Sequence, residues 1–146
     1  MKILFVCKYN RFRSRVAEAY FNKINKNPNL KAGSAGVIQG WFPIDMNEAE
    51  VAREFDLDIV GQPRAMSTEL LGQQNKVVIV ASNVPVSLFE RVMIADDTPL
   101  YFKTGSNLII WNIPDEEKGN RENIRNIIKL IMSNVDKLVK EVSGEK

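Results

Sequence analysis

Apolar residues change their period repeatedly along this chain, and each change marks an element. Residues 1–6 read Met-Lys-Ile-Leu-Phe-Val, a nearly continuous apolar run of strand length. From Val16 the period becomes helical, with Val16, Ala17, Tyr20, Phe21 and Ile24 on one face. Asn27-Pro28-Asn29 predicts a turn, and residues 30–37 a second, short strand. Residues 40–44 read as a loop. Asp45 or Asn47 then predicts the N-cap of a helix that turns Ala49, Ala52 and Phe55 inward. Residues 57–66 carry no period, and Ser67 predicts the cap of a short helical turn reaching Leu71. Residues 76–81 (Lys-Val-Val-Ile-Val-Ala) are β-branched and apolar throughout, which predicts a central strand covered on both faces. Residues 87–92 suggest a brief helix, and 108–111 a last strand. From about Asn120, Ile124, Ile127, Ile128, Ile131, Val135, Leu138 and Val142 form one stripe opposite lysines, as a long amphipathic helix requires.

Strands alternating with helices predict an α/β fold. The expected form is a three-layer sandwich, with a central, mainly parallel four-stranded sheet and helices on both faces. Ligands of such sheets sit beyond the carboxyl ends of the strands, where Cys7, Ala81 and Trp111 are expected to converge.

Composition adds limits. The 146 residues suit one domain spanning 1–146, with no repeats, low-complexity tracts or interdomain linkers. Apolar residues make up 45% and charged residues 26%, the ordinary range of a globular protein. A single cysteine excludes an intramolecular disulfide. The N-terminus does not read as a signal peptide, and no apolar run approaches the roughly 20 residues of a membrane span. The expectation is a cytoplasmic protein with no membrane or nucleic-acid partner, since a net charge of +2 is too small to imply the latter. Oligomeric state is not readable. With zero histidines and one cysteine there is no cluster to bind a metal, and no cofactor is expected.

The chemistry concentrates between the first strand and first helix. Cys7 closes the strand, and Lys8-Tyr9-Asn10-Arg11-Phe12-Arg13-Ser14 fill a short loop with the pattern C-x5-R-S. Loop amides and a helix N-terminus aim free N–H groups at one spot, which makes an anion site. Arg13 adds a planar fork of donors suited to a tetrahedral oxyanion, and the same positive field favours Cys7 as the nucleophilic thiolate. Lys8, Arg11, Arg13 and Arg15 cluster here; a solvated charged face is the usual meaning, but beside a cysteine an anionic ligand fits better. A nucleophile inside a phosphate cradle points to cysteine-dependent phosphoryl transfer.

Val6-Cys7 through Arg13-Ser14 resembles the active-site loop of the low-molecular-weight protein tyrosine phosphatase family, V-C-x-G-N-x-C-R-S, which also includes arsenate reductases. Cys7, Asn10, Arg13 and Ser14 match it. Ser34-Ala35-Gly36, with Trp41 following, resembles the family's S-A-G segment, and Trp111-Asn112-Ile113-Pro114-Asp115 resembles the stretch that carries its catalytic aspartate. The departures are Tyr9 for the loop glycine, where a backbone free to take positive φ is wanted, and Phe12 for the second loop cysteine, which removes the disulfide the family would form. Glu116 stands where the family has proline, and the aromatic residues that usually follow are absent.

The resemblance implies a metal-independent phosphomonoesterase acting on phosphorylated proteins or small aryl phosphates. Cys7 attacks phosphorus; Arg13 and the amides of residues 8–13 hold the oxygens; Asp115 protonates the leaving group. By sequence alone Asp115 reads first as a loop or cap aspartate ahead of the final helix, and it is the resemblance that raises the catalytic reading above that; Glu116 and Glu117 are neighbouring candidates. Ser14 is expected to hydrogen-bond the sulfur, Asn10 to hold the loop, and Ser34 to join that network. Tyr9 and Trp41 are expected as aromatic walls, with core or surface packing equally open for Trp41. Two other functions share the scaffold: arsenate reduction with an external thiol, because no cysteine follows Cys7, and a phosphate- or phosphoprotein-binding module without turnover.

Overall fold

The computed structural model describes residues 1–40, 43–93 and 99–143. Its centre is a four-stranded sheet in the order β2-β1-β3-β6, formed by β1 (Lys2–Cys7), β2 (Lys31–Gly36), β3 (Lys76–Val80) and β6 (Leu108–Trp111). All three pairings are parallel, with Cys7 beside Gly36, Val6 beside Ile79 and Val80 beside Trp111. Three strand ends carrying candidate chemistry therefore lie along one edge, as the alternating pattern predicts.

Period explains which face each helix covers. α1 (Arg13–Ile24), α2 (Met46–Glu54) and α5 (Arg121–Ser143) bury Val16, Phe21, Ala49, Ala52, Ile124, Ile128 and Ile131 against Ile3, Phe5, Val78 and Val80. The alternate strand residues Leu4, Val6, Val77 and Ile79 face a second core with Leu71 of α3 (Thr68–Gly72) and Phe89 of α4 (Ser87–Glu90). Two apolar faces on one sheet require cover on both, which gives the three layers. Phe5 is fully buried, with the rings of Phe21 and Trp111 each 5.9 Å away, so Trp111 packs in the core rather than over the site.

Two boundaries differ from the sequence pattern. The helix predicted over 87–92 stops at Glu90, because Arg91 is extended and Val92–Met93 (β4) pairs antiparallel with Pro99–Leu100 (β5). A two-residue ribbon has no period to read. α1 begins at Arg13, a turn before its apolar stripe, since its first residues serve the strand-to-helix loop rather than the core. Asp45, one of the two expected caps, does cap α2, accepting from Glu48 N at 3.1 Å. Ser67 caps α3 by accepting from Leu70 N at 3.0 Å. Among the described residues, no helix is long and apolar enough to cross a membrane.

Candidate active site

Strand pairing carries the chain into the site. Val37 N donates to Cys7 O at 3.0 Å and Ile38 N to Lys8 O at 2.9 Å, so β1 stays anchored past its last residue. The chain then reverses into α1, whose N-cap position is Phe12. No side chain caps that end and no acidic residue stands in its first turn, leaving the positive end of the helix facing the loop. The left-handed residue of the loop is Asn10, at φ 56°, not Tyr9. Asparagine is among the few residues that adopt this region readily, so the tyrosine in place of glycine imposes no left-handed strain. Glycine is instead required at Gly36, where a Cβ would lie 2.6 Å from Tyr9 C and 2.7 Å from Asn10 N. The Ser34-Ala35-Gly36 segment thus lets the neighbouring strand approach the loop backbone.

Asn10 is buried and organises what lies behind the cysteine. Its amide donates to Ser14 Oγ and to Ser34 Oγ, each at 2.8 Å, and its carbonyl accepts from Arg64 N at 2.9 Å. Ser34 Oγ in turn donates to Glu18 Oε1 at 2.5 Å. Because Ser14 Oγ accepts from Asn10, its own proton is free to point at Cys7 Sγ, 3.0 Å away. A hydroxyl donating to sulfur stabilises the thiolate over the thiol. Cys7, Asn10, Ser14 and Ser34 are all nearly excluded from solvent.

Arg13 is also buried, and its guanidinium is held from three directions. Nη1 donates to Ile113 O at 2.8 Å and Nη2 to Asn83 Oδ1 at 3.0 Å, while Asp115 Oδ1 lies 2.6 Å from Nη2. Asn83 closes the triangle by donating to Asp115 Oδ2 at 3.0 Å. Asp115 itself is exposed, on the loop after β6, which Ser82 N ties to the end of β3 through Ile113 O at 2.9 Å.

A cavity of about 240 Å³ joins these groups, lined by the loop from Cys7 to Arg13 and by Glu48, Asp115, Glu116 and Lys118. Lys8 places its ammonium 5.2 Å from the Tyr9 ring centre, a cation–π contact at the rim. Glu48 enters from the first turn of α2 and is 2% exposed. Its carboxyl is pushed up to about 9, first by burial, then by the charge of Glu116 and a hydrogen bond with it, and by Asp45, against a pull downward from Arg11.

Of the expected site residues, the fold brings Cys7, Lys8, Tyr9, Arg11, Phe12, Arg13 and Asp115 around one cavity and sets Asn10, Ser14 and Ser34 behind it. Phe12 also reaches the core beneath α1. Trp41 lies outside the described residues. Sequence reasoning missed Asn83, for which no local signal exists, and Glu48. The latter had a signal: it sits four residues before Ala52, on the apolar stripe of α2, where a solvated glutamate does not belong.

A sequence profile described as low molecular weight phosphotyrosine protein phosphatase matches residues 2–146. The chain belongs to that family. No curated protein sequence matches it. Among solved structures, the family phosphatase of T. tengcongensis is 24% identical, covers 97% of this chain and 99% of its own, and superposes with a TM-score of 0.76. The arsenate reductase of Archaeoglobus fulgidus is 25% identical over 94% and 98% of the two chains, with a TM-score of 0.68. Wzb of Vibrio vulnificus, solved with benzylphosphonate, is 22% identical over 96% and 97%, with a TM-score of 0.76. The family thus spans phosphatases and arsenate reductases on this three-layer fold.

Proposed function

We propose that this chain is a metal-independent phosphomonoester hydrolase that acts on phosphotyrosine in proteins or on small aryl phosphates through a phosphocysteine intermediate. The observation that carries the reading is Cys7 Sγ at 3.0 Å from Ser14 Oγ, in one cavity with Arg13. Cys7 thiolate attacks phosphorus in line with the leaving oxygen, forming S–P as O–P breaks. The amides of Lys8, Tyr9, Asn10, Arg11 and Phe12, together with Arg13 and the first turn of α1, receive the three equatorial oxygens. Substrate phosphate takes the place of the Asp115 carboxylate on Arg13, which leaves Asp115 at the mouth to serve as acid toward the leaving oxygen and as base toward the attacking water. Tyr9, 38% exposed at the rim, offers a face to an aryl group, and benzylphosphonate on a relative supports that ligand class.

The test is p-nitrophenyl phosphate hydrolysis in EDTA, from about pH 5 to 8, by wild type and Cys7→Ser. Turnover that survives EDTA and vanishes in Cys7→Ser supports the reading; EDTA-sensitive turnover, or turnover by Cys7→Ser, rejects it. Likeness to an arsenate reductase keeps a second reading in view, in which Cys7 attacks arsenate. With one cysteine in the chain, an external thiol must then release the arsenic from Cys7 and supply the electrons. Arsenate-dependent thiol oxidation without phosphate-ester hydrolysis would select it.

A further inference from the structure

The Asp115 side chain is 62% exposed and stands on an irregular loop. Among the described residues only Arg13 and Asn83 hold its carboxylate, and they hold different oxygens. Arg13 Nη2 lies 2.6 Å from Oδ1, whereas Asn83 Nδ2 donates to Oδ2 at 3.0 Å. Chemistry fixes which way the Asn83 amide points. A guanidinium can only donate, so the atom 3.0 Å from Arg13 Nη2 is the amide oxygen, and the NH2 group is left for Asp115. We propose that Asn83 is a positioning residue of this site, which keeps Asp115 over the leaving oxygen once the substrate has taken Arg13. The proposal rests on the phosphatase reading and concerns the placement of its acid.

The frame behind Asn83 is shared with Arg13. Ser82 N and Arg13 Nη1 both donate to Ile113 O, at 2.9 Å and 2.8 Å, and Ile113 is buried. The loop after β3, the loop after β6 and the guanidinium thus meet at one carbonyl, beside Asn83 in one loop and two residues before Asp115 in the other. When substrate phosphate displaces Oδ1 from Arg13, Asn83 is the partner that remains. Held by Oδ2, the carboxyl keeps Oδ1 beside the phosphoryl group. Oδ1 takes a proton from solvent and gives it to the leaving oxygen as S–P forms and O–P breaks. It recovers a proton from the water that attacks phosphocysteine, and S–P breaks to restore the Cys7 thiolate. That proton returns to solvent when phosphate departs and Arg13 takes Oδ1 back. An amide suits the place: its N–H bonds Oδ2 whether or not Oδ1 is protonated, and it carries no charge to compete with phosphate for Arg13. Without this tether the carboxyl would sample other rotamers on its exposed loop, and a misplacement of about 1 Å can cost roughly a hundredfold in rate.

The experiment compares kcat/KM, which reports steps through phosphocysteine formation, for dinitrophenyl phosphate and phenyl phosphate. The enzymes are wild type, Asn83→Ala, Asp115→Ala and the double variant. Dinitrophenolate departs without protonation; phenolate requires it. A disturbance of Arg13 or of the fold slows both esters alike, so the ratio of phenyl to dinitrophenyl rates reads the acid alone. Asn83 is exposed, and alanine there should not threaten folding. At neutral pH, Asn83→Ala should lower the ratio by about tenfold or more. In the Asp115→Ala background the same substitution should change it by less than about twofold, because the acid it positions is gone. A smaller fall in the first comparison, or a larger change in the second, overturns the role of Asn83 while leaving the phosphatase reading intact. A wild type that hydrolyses neither ester overturns both.

Discussion

Asn10→Ala removes more from this fold than a single polar side chain ordinarily does. The amide supplies two hydrogen bonds of 2.8 Å to Ser14 and Ser34, and the carbonyl receives Arg64 N at 2.9 Å. A net loss of about 1 kcal/mol per bond gives about 3 kcal/mol, and the buried setting moves it toward the upper end. Alanine at φ 56° adds about 1 kcal/mol, because its Cβ crowds the following carbonyl in the left-handed region. The expected total is about 3–5 kcal/mol, a large share of the roughly 5–15 kcal/mol that holds a domain together. With an m-value near 2 kcal/mol per molar, the urea midpoint should fall by roughly 2 M, m itself staying constant. Asn10→Gly separates the contributions: it relieves φ but not the lost bonds, so it should recover no more than about 1 kcal/mol over alanine. Asn10→Asp keeps the acceptor and the tolerance for φ, loses both donors, and adds a charge beside the Glu18–Ser34 bond, so it should fall at or below alanine. An Asn10→Ala midpoint within about 0.5 M of wild type would refute the claim that this side chain holds the loop.

Three further outcomes are expected. Gly36→Ala forces a Cβ to 2.6 Å from the Tyr9 backbone carbon, so it should distort the loop and weaken phosphate binding by calorimetry at least tenfold; unchanged affinity would show that the strand can retreat. Glu48 has its pKa raised from 4.5 to about 9 on folding, so its contribution is fully present below about pH 4.5 and is lost as pH rises toward 9. Glu48→Gln does not titrate, so its stability relative to wild type should improve by roughly 1.4 kcal/mol per pH unit, about 4 kcal/mol in all between about pH 5 and 8; a difference flat with pH would sink this account. Asp115→Asn removes the charge that competes for Arg13, and since the pair is exposed on the Asp115 side the effect is modest: phosphate should bind roughly 2–5-fold tighter at neutral pH, and weaker binding would contradict the geometry.

Legibility in the sequence followed contiguity. The strands and long helices announce themselves because a buried face imposes a period on many residues at once, and the loop from Cys7 to Ser14 is readable because its chemistry lies within eight consecutive residues. Its conformation is less accessible: the family pattern has its glycine at the position of Tyr9, while the left-handed turn falls on Asn10, whose side chain is held there by Ser34 of β2 and the backbone of Arg64. The β4–β5 ribbon is two residues a side, too short for any alternation. Asn83 reaches Arg13 and Asp115, and Glu48 reaches the cavity, from separate elements, and only tertiary structure makes them neighbours of the site.

The triangle of Arg13, Asp115 and Asn83 gives the resting site its own resident anion. A tethered carboxylate acts as a competitor whose local concentration does not dilute, in the millimolar range or above for a short tether. A visiting anion therefore meets a threshold rather than an empty seat. Weakly held monoanions, with one charge and few acceptor positions, gain too little to displace it. A phosphoryl dianion, which can engage Arg13 and several loop amides together, gains enough. On the phosphatase reading, discrimination against small monoanions is thus built into the unliganded protein, before any substrate group outside the phosphate makes contact.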